Sequence, residues 1–155
     1  MAQQLWFLRH GEAEPHGVRP DSDRELTDRG REQSRTAGRA LAELGVEVHL
    51  ALTSPKARAL QTAQLACAAL GVEPVEHAAL AEGFDADEAR ALLGAAGADQ
   101  RVLVVGHEPD FSLVVHDLTG ARIDLKKGGI AAVRMDGRDG ELVTLLRPRE
   151  LYRIG

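Results

Sequence analysis

The sequence predicts a layered α/β domain built on a mostly parallel sheet, with an antiparallel hairpin near its end. Three observations carry that expectation. Short apolar runs alternate with helical patterns along most of the 155 residues. The runs stop abruptly at glycine or polar residues, as buried strands do where they leave a sheet. Helix start and stop residues bracket the segments between them: Thr27 with Gly45, Ser54-Pro55 with Gly71, and Pro109 with Gly120.

Taken in order, Leu5-Trp6-Phe7-Leu8 ends at Arg9-His10-Gly11 and is expected as the first buried strand. Residues 12–26 are polar, carry Pro15, Gly17 and Pro20, and are expected as a loop. Thr27 can cap a helix reaching Leu44, with Gly45 as its stop, and Ala37, Leu41 and Leu44 recur at helical spacing. Residues 48–53 read as the second strand. Ser54 as cap and Pro55 in the first helical position start a second helix, which runs to Leu70 and stops at Gly71. Its alanine-rich stretch, residues 63–69, suits close helix packing. Residues 74–80 are expected to be extended, and residues 85–93 to form a short helix. Residues 102–105 are the clearest strand, ended by Gly106-His107. Pro109 then opens a helix through Leu118. Residues 130–135 and 142–146 read as two strands joined by a turn through Asp136-Gly137 and Asp139-Gly140.

The length suits one domain over residues 1–155, large enough to bury a core without disulfides or metals. A hydrophobic content of 44% with 28% charged residues excludes disorder as the default state. Aromatic residues make up only 3%, which argues against a base-stacking surface for nucleic acid. The net charge of −5 argues against general polyanion binding. Cys67 stands alone, so an intramolecular disulfide and a cysteine-rich metal site are excluded. No stretch reaches the roughly 18 apolar residues of a spanning helix. Residues 1–8 lack the basic start and long apolar run of a secretion signal. A soluble, cytoplasmic, monomeric protein is expected, with no membrane or nucleic-acid partner.

Parallel sheets place their sites beyond the carboxyl ends of the strands. Three places qualify: Arg9-His10, residues 54–58, and Gly106-His107. They bring two histidines and two arginines to one rim. Guanidinium groups bind phosphate oxygens with forked geometry. The helix start at Pro55 adds backbone N–H groups for an anion, and Arg58 lies in its first turn. A neutral imidazole is a competent nucleophile toward phosphorus. Nearby arginines favour the neutral form, and a second histidine can stabilise charge growing on the phosphoryl oxygens. Arg9 and His10 would point to opposite faces of a straight strand, so the chain must turn there, and Gly11 permits the turn.

Leu8-Arg9-His10-Gly11-Glu12-Ala13 resembles the Arg-His-Gly signature of the histidine phosphatase superfamily, the phosphoglycerate-mutase-like fold. Leu26-Thr27 followed by Gly30 resembles the start of that family's first helix. The segments Ser54-Pro55-Lys56-Ala57-Arg58-Ala59-Leu60-Gln61-Thr62-Ala63 and Val104-Val105-Gly106-His107-Glu108-Pro109 resemble its second and third motifs. The matches fall in family order. The resemblance implies a three-layer sandwich with a mostly parallel central sheet flanked by helices. It implies His10 as the nucleophile that becomes phosphorylated, with Arg9, Arg58 and His107 forming the phosphate pocket and Gly11 beside them. No metal or other cofactor is implied. The small size and the His-Glu-Pro-Asp wording resemble the short branch, the phosphohistidine phosphatases that act on phosphorylated signalling proteins.

Many family members carry a glutamate as general acid, and here the residue in question is Glu82. A phosphohistidine leaves as an imidazole, whose nitrogen takes a proton readily, whereas a phosphate ester needs a dedicated acid far more. Glu82 therefore divides two readings: a phosphatase for phosphohistidine on a protein, or a phosphomonoesterase for a small phosphorylated metabolite such as a sugar or nucleotide-derived phosphate. Only 49 positions separate Arg58 from His107, which leaves little chain for a covering lid and favours the protein substrate. A non-catalytic phosphate-binding module is the third possibility, and the presence of His10 argues against it. Glu12 and Glu108 are expected to be structural or rim charges, and His16, His49, His77 and His116 to be structural. Residues 126–129, Lys-Lys-Gly-Gly, are expected as a solvated basic loop.

Overall fold

A computed structural model describes residues 2–155; Met1, the first residue of the stretch read for a secretion signal, lies outside the described residues. The elements follow as β1 (Gln4–Arg9), α1 (Asp28–Glu43), β2 (Leu50–Thr53), α2 (Ala57–Leu70), β3 (Pro74–Glu76), α3 (Ala86–Ala95), β4 (Arg101–Gly106), α4 (Asp110–Thr119), β5 (Ile130–Asp136), β6 (Asp139–Leu146) and α5 (Pro148–Ile154). The strands form one sheet in the order β3-β2-β4-β1-β5-β6. The first four of these run parallel, while β5 is antiparallel to β1 and β6 to β5. The expected three-layer α/β sandwich is the architecture found.

Strand periodicity divides the core in two. Leu5 and Phe7 of β1 enter one layer with Val102 and Val104 of β4, against Ala89 and Leu93 of α3 and Phe111 and Val115 of α4. Trp6 and Leu8 enter the other with Leu103 and Val105, against Ala37 and Leu41 of α1 and Ala59 and Ala63 of α2. Because both faces are covered, these strands read as unbroken apolar runs rather than alternating ones. The small residues bring α1 and α2 close: a Cβ on Gly38 would lie 2.2 Å from the Ala66 carbonyl oxygen.

Local signals placed most boundaries. Thr27 caps α1, its hydroxyl accepting from Gly30 N–H at 3.1 Å. Asp85 caps α3 through Glu88 N–H, and Gly71 and Gly120 end α2 and α4 in the left-handed conformation. Ser54 departs from expectation. The first residue of α2 is Ala57, with Lys56 at the cap position. Ser54 N–H still bonds the Val105 carbonyl at 2.9 Å, so this residue continues the β2–β4 pairing and the chain needs two more residues to turn into the helix. Residues 74–80 are extended only over Pro74–Glu76 and then form a 3₁₀ turn at Ala78–Leu80. α5 was not expected at all. It is seven residues long, too short for a periodic signal, and is anchored by the buried Leu151. No helix among the described residues is long and apolar enough to cross a membrane.

Candidate functional site

The carboxyl ends of β1, β2 and β4 open onto a cleft of about 350 Å³ lined by Arg9, His10, Arg58 and His107, with Glu14, His16, Asp21, Arg24, Glu108 and Lys127 around them. A larger hollow between Ala2 and the β5–β6 turn, about 470 Å³, holds no histidine. The cleft is set apart by its buried polar groups. His10, Arg58 and His107 are 6–7% exposed, and Arg24 is 8% exposed.

The chain leaves β1 at Arg9 under tight backbone control. Arg9 N–H bonds Gly129 O, His10 N–H bonds Gly106 O, and Gly128 N–H is shared between the Arg9 and His10 carbonyls. Gly11 follows, but its φ is not positive. A glycine is required there by space: a Cβ would lie 2.5 Å from the Gly30 carbonyl oxygen. The conformational freedom expected of Gly11 is thus not what the turn uses. Its N–H bonds Thr62 Oγ1 at 3.1 Å, and Thr62 in turn donates to Arg58 O. The Gly11 amide therefore ties the turn to α2 and is not a free donor for an anion.

His10 Nδ1 lies 2.7 Å from Gly11 O. A carbonyl only accepts, so this contact assigns the ring proton to Nδ1 and leaves a lone pair on Nε2. Among the described residues Nε2 has no hydrogen-bond partner. Burial pushes the His10 pKa down from 6.5 to about 3, against the Gly11 bond, and Arg58, Arg9 and Lys127 lower it further. The ring is neutral at ordinary pH. His107 stands alongside, its ring centroid 5.2 Å from that of His10. Its pKa is also lowered to about 3, first by burial and then by His10 and Arg58.

Ser54 decides the state of His107. Ser54 Oγ accepts from Lys56 N–H at 3.2 Å and lies 2.8 Å from His107 Nε2. Giving the hydroxyl proton to Nε2 supplies that proton with an acceptor and places the imidazole proton on Nδ1.

Among the described residues, four buried side-chain nitrogens have no hydrogen-bond partner: Arg9 Nε, Arg58 Nε, His107 Nδ1 and His77 Nε2. The first three belong to cleft residues. Each unsatisfied buried donor costs about 1–3 kcal/mol. A tetrahedral oxyanion carries enough acceptors to satisfy all three. Other arginine nitrogens already hold protein acceptors: Arg9 Nη1 donates to Leu125 O at 2.9 Å, and Arg58 Nη1 and Nη2 each donate once to Asp21.

The structure thus brings together Arg9, His10, Arg58 and His107 from elements far apart in sequence. It does not bring Glu82 to them. Glu82 is exposed and absent from the cleft lining, on a bend whose next residue, Gly83, is bound to Asp110. Lys127, expected in a solvated loop, is exposed but lines the cleft. Ser54 was expected at the rim only as a helix cap, and Asp21 and Arg24 were not expected in the site. Ser54 carried the signal of a helix cap, and the path of the loop bearing Asp21 and Arg24 has no periodicity to reveal it. No group of three or more histidine, cysteine or carboxylate side chains that could hold a metal occurs among the described residues.

Fold and cleft together define an α/β protein in which two imidazoles and two guanidiniums line one cleft at the carboxyl ends of the strands. The family model for the histidine phosphatase superfamily (branch 1) matches residues 5–91. The chain belongs to the histidine phosphatase superfamily. An uncharacterized protein of Picosynechococcus sp. is 34% identical over 169 residues, covering 96% of this chain and 98% of that protein. The 2,3-bisphosphoglycerate-dependent phosphoglycerate mutase of Rhizobium meliloti is 34% identical over 110 residues; the match covers 61% of this chain and only 51% of the mutase. Among solved structures, the protein histidine phosphatase SixA complexed with tungstate aligns with a TM-score of 0.87 at 28% identity, covering 96% of this chain and 99% of that one. The alpha-ribazole phosphatase from Shigella flexneri aligns at 0.78 with 21% identity, covering 94% and 96%, a likeness of fold alone.

Proposed function

We propose that this protein is a phosphatase that removes the phosphoryl group from phosphohistidine on another protein, through a phosphohistidine formed on His10. The observation that carries the reading is the Nδ1 contact of His10 with Gly11 O, which leaves Nε2 as a lone pair in a cleft of unpartnered donors. In the first step His10 Nε2 forms a bond to phosphorus while the substrate's N–P bond breaks. The bonding pair goes to the substrate imidazole, which takes its proton from solvent. In the second step water attacks phosphorus, the bond to His10 breaks, and phosphate and a proton are released. Arg9, Arg58 and His107 hold the equatorial oxygens and oppose their growing charge. The reaction uses side chains alone.

The carboxylates of the cleft favour a substrate whose leaving group needs no dedicated acid. Asp21 is held near pKa 2; burial raises it, but Arg58 and Arg24 together lower it further. Glu14 is lowered first by its bond from Glu25 N–H, and Glu108 accepts from Ser112 N–H. Asp21 and Glu14 are therefore not protonated donors at neutral pH. The near-complete alignment with a protein histidine phosphatase points the same way. The sequence likeness to a phosphoglycerate mutase keeps a second reading, a phosphomonoesterase for a small metabolite.

The test is to incubate the protein with a phosphohistidine-bearing protein and with an alkyl phosphate ester, then trap acid-labile phosphate. Phosphate on His10, absent in His10→Ala, with faster turnover of the N–P substrate, is expected. Faster ester turnover that collapses in Glu82→Gln supports the metabolite reading. No phosphoenzyme with any substrate leaves a phosphate-binding module.

A further inference from the structure

The polar loop between β1 and α1 is not a passive connection. Its 3₁₀ turn at Asp21–Asp23 reaches the cleft, and Arg24 behind it is buried. We infer that Asp21 is a positioning residue for Arg58, with Arg24 as its anchor. This rests on the site reading proposed above.

The geometry is a chain of three groups. Asp21 takes both terminal nitrogens of Arg58: its main-chain carbonyl accepts from Nη1 at 2.8 Å and its carboxylate Oδ2 from Nη2 at 3.3 Å. A guanidinium is planar and rigid, so fixing both Nη groups fixes the direction of the Nε–H bond. Among the described residues Nε has no hydrogen-bond partner. Asp21 is itself held. Arg24 donates from Nε to Oδ1 at 3.1 Å and from Nη1 to Glu14 O at 2.6 Å, and its Nη2 forms an ion-pair contact with the same Oδ1 at 3.1 Å. The loop is pinned to α2 a second time, Gln61 accepting from Leu26 N–H and donating to Glu25.

Charge gives the reason for a carboxylate at this point. Arg24 and Arg58 are both buried, and burial first, then the nearby Arg24, disfavours the charge on Arg58. Lys56 Nζ adds a third cation 3.6 Å from Oδ2. Buried like charges need a counter-ion before any substrate arrives. Asp21 supplies it from the terminal edge of Arg58, opposite the nitrogen left for the phosphoryl group.

This arrangement has a kinetic signature. Removing the Asp21 charge makes the cleft more positive, so resting anion affinity does not fall. What is lost is the aim of Arg58, which matters most when charge develops on the transferring oxygens. The test uses the full chain in a double-mutant cycle of Asp21→Asn, Arg58→Ala and both together. Turnover of a phosphohistidine peptide is read alongside tungstate affinity by calorimetry, with rates normalised to phosphate trapped on His10. Asp21→Asn is expected to lower kcat about tenfold to hundredfold in the parent, and by about twofold or less once Arg58 is alanine. Its KM and tungstate affinity hold or tighten. Arg24→Lys, which keeps the charge but loses the fork, is expected to show the same Arg58-dependent loss and stands in if Asp21→Asn fails to fold. A loss of equal size in the Arg58→Ala background assigns Asp21 a general structural role and overturns the inference. An unchanged or raised kcat also overturns it, a rise marking Asp21 as an internal competitor of phosphate. If the parent protein neither binds tungstate nor forms a phosphoenzyme, the proposed function fails first; if it does both and Asp21→Asn matches it, only this inference fails.

Discussion

Replacing Ser54 with alanine removes one oxygen from the middle of the site. Ser54 has no exposed surface, and its hydroxyl meets His107 Nε2 at 2.8 Å and Lys56 N–H at 3.2 Å. Alanine leaves the imidazole nitrogen and the amide without that partner. An unsatisfied buried polar group costs about 1–3 kcal/mol, and the half-buried Lys56 amide can turn to water, so a net loss of about 2 kcal/mol is expected. For a chain of this size that lowers Tm by about 4–8 °C. Catalysis falls by a separate route, because nothing then holds His107 in the Nδ1–H form. Outright removal of a transition-state donor costs about 10²–10³ in kcat, so loss of its orientation is expected to cost about 10- to 100-fold. The assays are thermal unfolding and the rate of phosphate appearance on His10. A Ser54→Ala protein with parental Tm and a phosphorylation rate within about twofold of the parent's would show that His107 takes its orientation from elsewhere.

Three further outcomes are expected. Burial lowers the pKa of His10 and His107 from 6.5 to about 3, so the unfolded chain binds these protons first as pH falls; their stabilising contribution is fully present above pH 6.5 or so and is lost progressively toward pH 3. Urea unfolding between pH 7 and 4 measures that slope, which flattens when both residues are replaced by glutamine; an unchanged slope would mean they are not buried as neutral rings. Gly30→Ala places a Cβ 2.0 Å from the Glu12 carbonyl oxygen, backbone against backbone. It is expected to cost about 3 kcal/mol or more and to displace the turn carrying His10, read as a lower Tm together with a lower kcat. Glu82→Gln alters an exposed side chain outside the cleft lining; stability within about 0.5 kcal/mol of the parent and undiminished turnover of a phosphohistidine substrate are expected, measured by thermal unfolding and phosphate release.

The order of strands and helices was legible because its signals are local. Leu5 to Leu8 and Val102 to Val105 are apolar without interruption because helices cover both faces of the sheet. Thr27, Asp85, Gly71 and Gly120 mark helix ends through bonds or dihedral angles reaching only a few residues along the chain. The same locality explains what was misread. Ser54-Pro55 has the residue types of a helix start, yet the Ser54 hydroxyl serves a histidine 53 positions away. α5 has one buried apolar residue, Leu151, and no repeat to announce it.

Arg9, His10, Arg58 and His107 could be picked out from sequence because each follows a strand, and carboxyl strand ends in a parallel sheet share one rim. By itself the sequence determined the layered fold and which side chains would reach that rim. Tertiary structure alone decided how they are held: His107 by Ser54, Arg58 by Asp21, and the turn after His10 by Thr62 and the close approach of Gly30. The physical reason is range. Apolar periodicity and caps act within a turn or two of the chain. The direction of a hydrogen bond and the balance of buried charge depend on groups that meet only when the layers close.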